Sequence, residues 1–314
     1  MRPTCLNTSG VGGVQIEMRA RMKRRQRIRT LTIVATIVVI AVSLVVGFYI
    51  ALNSGSSSRD KYDGTAVSST DMGTLYQVSH ADYGPSGSSL LVTSGSAANL
   101  KAATGSPYVV NGKPVVVYIG ADYCPYCAIE RWSLLMAFSR FGNFSNIQYM
   151  TSAPNDVGAG DYSTFSFTGS SYSSKYVAFQ TIEQEDRNRN VIATIPANYS
   201  AAFNGFYPYV NFNNKYILST LIADPTVLTN KNWTQIFTDI STSDSTGTVI
   251  KEGANAVTAL ICRLTSDQPG SVCNAFAITS TTIGLAYPAG ASQSIMQLAI
   301  PPSRPFVAAR LTWS

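Results

Sequence analysis

The chain has 314 residues and a mass of 33.7 kDa, room for one large domain or two modest ones. Apolar residues make up 45% and charged residues only 13%, about half the ~25% of an average soluble domain, which excludes a long disordered polyampholyte, a coiled coil and a basic nucleic-acid-binding tail. The formal charge of +6 sits at one end: eight of the 23 Lys and Arg and one of the 17 acids fall in residues 1–30, leaving 15 basic against 16 acidic side chains elsewhere, so no general affinity for nucleic acid is implied.

Leu31–Leu52 is a run of 22 residues without a charge, and a helix needs about 20 to cross a hydrocarbon core. A basic flank, Arg19 to Arg29, precedes it, and a nearly neutral one follows. The positive side stays inside, which predicts a cytoplasmic segment over 1–30, a transmembrane helix over 31–52 and an extracytoplasmic remainder in the cell membrane. A cleaved signal peptide normally has an apolar region of about 7–15 residues and a small-residue cleavage site, and neither is present here.

Residues 53–104 form a polar extension whose Ser/Gly-rich start, 53–70, has the composition of a flexible tether. Short apolar patches at Tyr76–Val78 and Leu90–Val92 allow one strand or short helix there. Val115–Ile119 is a continuous apolar run, the pattern of a strand buried on both faces, and it follows the turn signal Asn111-Gly112-Lys113-Pro114. A helix is expected over Ala128–Phe141, with Ile129, Trp132, Leu135, Met136 and Phe138 at helical spacing and Gly142-Asn143 closing it. Ile147–Met150 then reads as the next strand and completes a βαβ unit with a parallel pair. Residues 153–175 read as an inserted surface loop and Tyr176–Glu183 as a strand. Tyr207–Leu218 has the pattern of two short strands around Asn213-Asn214, and helices are expected over 224–241 and 247–264. Residues 275–314 receive no assignment.

Five cysteines occur: Cys5, Cys124, Cys127, Cys262 and Cys273. Cys124 and Cys127 straddle two residues where the buried strand hands over to the helix. At a helix N-terminus the unpaired N–H groups and the dipole favour a thiolate, so Cys124 is the candidate nucleophile. Pro125 has no N–H to waste in the first turn. Cys127, one turn on, is the candidate resolving thiol, which attacks the mixed disulfide that Cys124 forms. Half a zinc site is the competing reading, but Cys262 and Cys273 are widely spaced and His80 is the only histidine, too few ligands for a metal. A permanent structural disulfide is the other.

Here the sequence resembles the thioredoxin superfamily, over roughly residues 105–265. The resemblance rests on Cys124-Pro125-Tyr126-Cys127 with its strand and helix, and on Tyr207-Pro208 followed by YVNFNNKYIL. It implies an α/β, thioredoxin-like central sheet with flanking helices, here a domain over 105–274 with an insertion at about 153–206. It also implies that Pro208 is cis and packs beside the cysteines, and that Tyr207 offers its backbone to an incoming peptide. More narrowly, GADYCPYCA-x-ERW followed by SRFG is similar to an archaeal, membrane-anchored thioredoxin-like family of unknown function (domain of unknown function 929). The chain departs from thioredoxins at Tyr118, where they keep a buried acid that takes a proton from the second cysteine. Asp122 and Glu130 are the candidates to replace it, the plainer reading of each being a solvated carboxylate at a helix start. No glutathione-binding signature follows the cysteine pair, and no cofactor is expected.

Cys262 and Cys273 read as a structural disulfide closing a short loop, or as a second redox pair. Asn143, Asn198 and Asn232 head glycosylation tripeptides. The function expected is that of an extracytoplasmic thiol–disulfide oxidoreductase, with exported or surface proteins as clients and a redox partner the sequence does not identify. A redox-inactive binding or scaffolding module with a static disulfide is the alternative.

Overall fold

The computed structural model describes residues 62–81, 83–84, 100–103, 105–156, 159–218 and 222–281, all within the unit Ser58–Ser314. The expected transmembrane segment, the basic segment before it, residues 53–61, the Leu90–Val92 patch and residues 282–314 lie outside the described residues. Among those described, no helix is long and apolar enough to cross a membrane.

Strand β3 (Lys113–Gly120) organises the domain. Its run Val115–Ile119 is fully buried because both faces of the sheet are covered. Val116 and Tyr118 point into the main core, while Val115, Val117 and Ile119 pack with Tyr199 and Tyr209 on the other side. β3 pairs in parallel with β8 (Ala178–Glu183), from Val115 opposite Ala178 to Gly120 opposite Glu183. It pairs antiparallel with β9 (Tyr209–Phe212) on its other edge. The sheet continues through β10 (Tyr216–Leu218) to β1 (Leu100–Ala102), with the short β2 (Val109–Val110) folded back on the start of β3. The β9–β10 hairpin turns where expected, at Asn213 and Asn214, whose φ of 55° and 52° are values Asn tolerates better than most residues.

Helix α2 (Pro125–Ser139) follows β3 and is buried at every position but Tyr126. Helix α1 (Ser69–Ala81) fills part of the polar extension and carries His80 in its last turn. α2 packs against α1, against the ribbon strands and along the long helix α5 (Ser245–Leu264). That all-round cover explains why its apolar residues do not keep to one stripe. Trp132 packs edge-on to Phe165 and Phe237 at 4.4 and 5.1 Å between ring centroids.

Three expectations are corrected. The strand after α2 is not the parallel partner of β3. β4 (Gly142–Ser145) pairs antiparallel with β7 (Ser171–Ser174), and β5 (Gln148–Thr151) pairs antiparallel with β6 (Ser163–Ser166), in two separate ribbons. β5 buries only alternate residues, which suits a half-covered ribbon, while β8, paired with β3 alone among the described strands, buries Phe179 and Glu183. The crossover from β3 to its parallel neighbour therefore spans 57 residues between Gly120 and Ala178, and the 153–206 segment contains β8. Residues 153–175 are not a surface loop either, since all four residues of β6 are buried. Gly142 starts a strand instead of ending the helix, and a Cβ there would collide with the Ser173 backbone across the ribbon.

After the sheet come a 3₁₀ turn (Pro225–Leu228), α4 (Trp233–Thr242) and α5, with α3 (Ala197–Ser200), α6 (Gly270–Cys273) and α7 (Phe276–Thr279) as single turns. Asn232 caps α4, its side chain accepting from the Gln235 N–H while Gln235 bonds back. Asn143 and Asn198 are exposed. Cys262 and Cys273 are joined, with a Cα–Cα distance of 5.6 Å, and tie α5 to α6.

Two stability outcomes follow. Gly253 lies where α5 meets α2, and a Cβ there would overlap Ser133 and Ile222. Gly253→Ala should lower unfolding free energy by about 1–3 kcal/mol, the usual cost of overpacking, as read from urea denaturation. Removing the Cys262–Cys273 link, which closes a loop of separation 11, should cost roughly 2–3 kcal/mol in the same measurement.

Candidate functional site

The cysteine loop is fixed before the helix begins. The Cys124 N–H donates to the Ala121 carbonyl at 3.1 Å, the Asp122 N–H to the Glu185 carbonyl at 2.9 Å, and the Ala153 N–H to the Tyr123 carbonyl at 2.9 Å. Cys124 then caps α2 in extended backbone geometry, with Pro125 in the first helical position. Its Sγ accepts the Cys127 N–H at 3.2 Å. Both cysteines are free thiols, Cys124 4% exposed and Cys127 fully buried.

Three residues apart, the two thiols meet opposite conditions. Burial pushes the Cys124 thiol up, but the hydrogen bonds from the Cys127 thiol and N–H, the Arg131 charge and the Tyr126 N–H outweigh it and hold the thiol below its ordinary value. Burial drives Cys127 well above its ordinary value, and its hydrogen bond to Cys124 and the charge of that neighbour add to the rise. A low-pKa sulfur at the helix end and a protonated one behind it are the two states that stepwise exchange requires.

Beneath the pair lies a buried charge cluster. Arg131 donates to Glu183 through Nε at 2.9 Å and Nη2 at 2.8 Å, and from Nη2 to the Ala121 carbonyl at 2.7 Å. Asp122 lies 3.6 Å from the same Nη2. Burial, reinforced by the Glu183 charge and only partly offset by Arg131, raises the Asp122 carboxyl to about 7. The Tyr118 hydroxyl sits over Gly120, where a Cβ would strike it, and has no hydrogen-bond partner among the described residues. Burial pushes its ionisation well above the phenol range.

Around the pair, Tyr123, Tyr126 and Tyr207 pack on Ala121, Cys124 and Cys127. Tyr207 stands edge-on to Tyr123 at 6.4 Å, stacks on Phe203 at 5.7 Å and donates its hydroxyl to Gln184, with Glu185 Oε1 at 3.4 Å. The Tyr207–Pro208 peptide is cis, Pro208 is buried, and the adjacent Phe206 is 70% exposed. The Arg189 guanidinium lies 3.9 Å over the Tyr123 ring and pairs with Asp156.

The structure therefore gathers Cys124, Cys127 and Tyr207 in one cluster and brings Asp122 to the charges below it. Neither Asp122 nor Glu130 is the solvated carboxylate of the plainer reading: they are 3% and 0% exposed. Glu130 turns away toward residue 222, where Oε2 accepts the Ile222 N–H at 3.2 Å. Burial raises its carboxyl to about 8, so it is neutral at pH 7. The Cys262–Cys273 link packs in the main core, apart from the cluster of the cysteine pair. Sequence reading missed Arg131 and Glu183. A positive charge four residues after Cys127, one turn along the helix, was the available signal for Arg131; Glu183 had only its place at the end of an apolar strand.

Residues 101–203 match the family model described as Domain of unknown function (DUF929). That span holds β3, the cysteine pair, Arg131 and Glu183, and ends before Tyr207, Pro208 and the Cys262–Cys273 link. No curated protein and no solved structure matches the chain.

Glu130 makes stability depend on pH in a defined sense. Its folded value of about 8 stands above the ordinary 4.5, so the folded state keeps a proton that the unfolded chain releases. The stability this contributes is complete below about 4.5 and is lost as pH rises through about 8. Glu130→Gln keeps the acceptor for Ile222 and removes the titration. Its urea midpoint should gain on that of the unaltered protein between pH 5 and pH 8.5; a gap that stays constant contradicts the assignment.

Proposed function

We propose that the chain is a membrane-anchored, extracytoplasmic thiol–disulfide oxidoreductase on a thioredoxin-like domain, with exported proteins as clients. The observation that carries this reading is the unequal pair: Cys124 caps a buried helix, accepts the Cys127 N–H and is held more acidic than an ordinary thiol, while Cys127 is held protonated. A parallel β3–β8 pair, an antiparallel β9–β10 hairpin on the other edge, and helices α2 and α5 packed together are consistent with the resemblance. The uncharged Leu31–Leu52 run and its basic flank support the anchor and its orientation.

In the reducing direction the Cys124 thiolate attacks one sulfur of a client disulfide. A Cys124–client bond forms, the client S–S bond breaks, and the second client sulfur leaves as a thiolate that takes a proton from solvent. Cys127 then loses its proton and attacks Cys124 Sγ. The Cys124–Cys127 disulfide forms and the other client thiol is released. The client gains two electrons and the protein loses them. An external dithiol couple restores the pair, or an external disulfide couple drives the cycle in reverse. Tyr207 and Pro208, with exposed Phe206 beside them, supply the surface on which client backbone lies.

One observation favours the second reading, a binding or scaffolding module with a static disulfide: Cys124 is only 4% exposed. Potential and turnover separate the two. Detergent-solubilised protein should reduce a disulfide peptide at the expense of added dithiol, Cys124→Ser should lower that rate by about 100-fold or more, and Cys127→Ser should accumulate a mixed disulfide on Cys124. Equal rates for the unaltered protein and Cys124→Ser, with a Cys124–Cys127 potential below about −300 mV, would leave the static module standing.

A further inference from the structure

We propose that Arg131 is a positioning residue that supplies the fixed positive charge under the Cys124 sulfur, and that Glu183 and Asp122 set how much of that charge the sulfur receives. This deepens the oxidoreductase reading and rests on it for its consequence, the reactivity of the pair, though not for its test.

The placement carries the inference. Arg131 is fully buried and lies four residues after Cys127, on the same face of α2. One oxygen connects it to the nucleophile: the Ala121 carbonyl accepts both Arg131 Nη2 at 2.7 Å and the Cys124 N–H at 3.1 Å. Ala121 also shares its apolar cluster with both cysteines. The guanidinium is held in plane by Glu183, yet its Nη1 has no hydrogen-bond partner among the described residues. An unmade buried hydrogen bond is costly, so this donor is open to a further acceptor.

The other groups facing the pair do not supply this charge. Tyr118 on β3 and Tyr123, Tyr126 and Tyr207 at the rim carry no positive charge. Glu130 on α2 is protonated below about 8. Glu183 on β8, and Asp122 in the loop once ionised, are negative and oppose a thiolate. Arg189, the other nearby cation, is half exposed and held on Asp156 and the Tyr123 ring.

The two partners of the ion pair should therefore act with opposite sign. In full-length protein carrying Cys127→Ala, the rate of Cys124 alkylation by iodoacetamide is followed from pH 5 to pH 10. Glu183→Gln, which keeps an oxygen for Arg131 but removes the opposing charge, should move the midpoint down and raise the rate severalfold at pH 6. Arg131→Met combined with Glu183→Gln removes both charges and should move it up, lowering the rate at pH 7 by about tenfold, one unit of thiol titration. Far-UV circular dichroism checks folding. Should the double variant not fold, Glu183→Gln alone decides. Shifts in the same direction, or no shift with Glu183→Gln, overturn the proposal. Alkylation needs no client, so a chain inert in disulfide exchange but showing these shifts loses the enzymatic reading and keeps Arg131, and an active chain without them does the reverse.

Discussion

Arg131 and Glu183 form a bidentate, fully enclosed ion pair between the helix that carries the cysteines and the last residue of strand β8. Because Glu183 stands opposite Gly120 in the parallel register, the pair ties the end of β3, the turn after it and the first turns of α2 to the neighbouring strand. Charges taken out of water are recovered only with close geometry and satisfied hydrogen bonds, and losing one partner of such a pair typically costs about 3–5 kcal/mol. The extra contact from Nη2 to the Ala121 carbonyl extends the constraint to the loop itself. The pose of Cys124 is thus set from below by charge and from behind by the helix.

The features visible in the sequence were those with a short-range cause. Val115–Ile119 announced a strand covered on both faces because nothing in it tolerates water. Asn213-Asn214 announced a turn because few other residues accept positive φ in succession. The CPYC spacing announced a helix N-terminus because Pro125 and a capping sulfur both belong there. Pairing partners had no such signal. Gln148–Thr151 followed the helix directly and looked like the strand to close a βαβ unit. The true partner arrives only at Ala178, after two ribbons whose Ser- and Tyr-rich sequences resemble a loop. Ser163 and Thr164 in β6 are buried because Trp132, Trp233 and Lys231 meet them through hydrogen bonds, a compensation that no window of sequence contains.

The site divides in the same way. The place of Cys124 and Cys127 at the start of the helix was legible because it depends on spacing and on Pro125 between them. Asp122 and Glu130 were found as residues but misjudged as surroundings, since burial of a carboxylate depends on what folds over it. Glu130 lies one turn after Cys127 yet serves the backbone at Ile222, on another side of the helix. Adjacency along a helix fixes direction only to the nearest turn, and here it pointed to the wrong neighbour.

The contrast between the two thiols follows from the helix terminus. The first N–H groups of a helix have no partner within it, and they face the cap, not the third helical residue. Cys124 at the cap accepts from Cys127 and Tyr126; Cys127, one turn in, meets apolar walls and receives no such donors. Burial alone would make both poor nucleophiles, so the enclosure that weakens one sulfur sharpens the difference between them. Tyr118 fits this balance. The resemblance to thioredoxins places an acid at that position, but here the acid is on the adjacent strand as Glu183, engaged with Arg131. An ionised side chain at 118 would add a third carboxylate around one guanidinium. A phenol whose ionisation is pushed far up fills the same space without that charge.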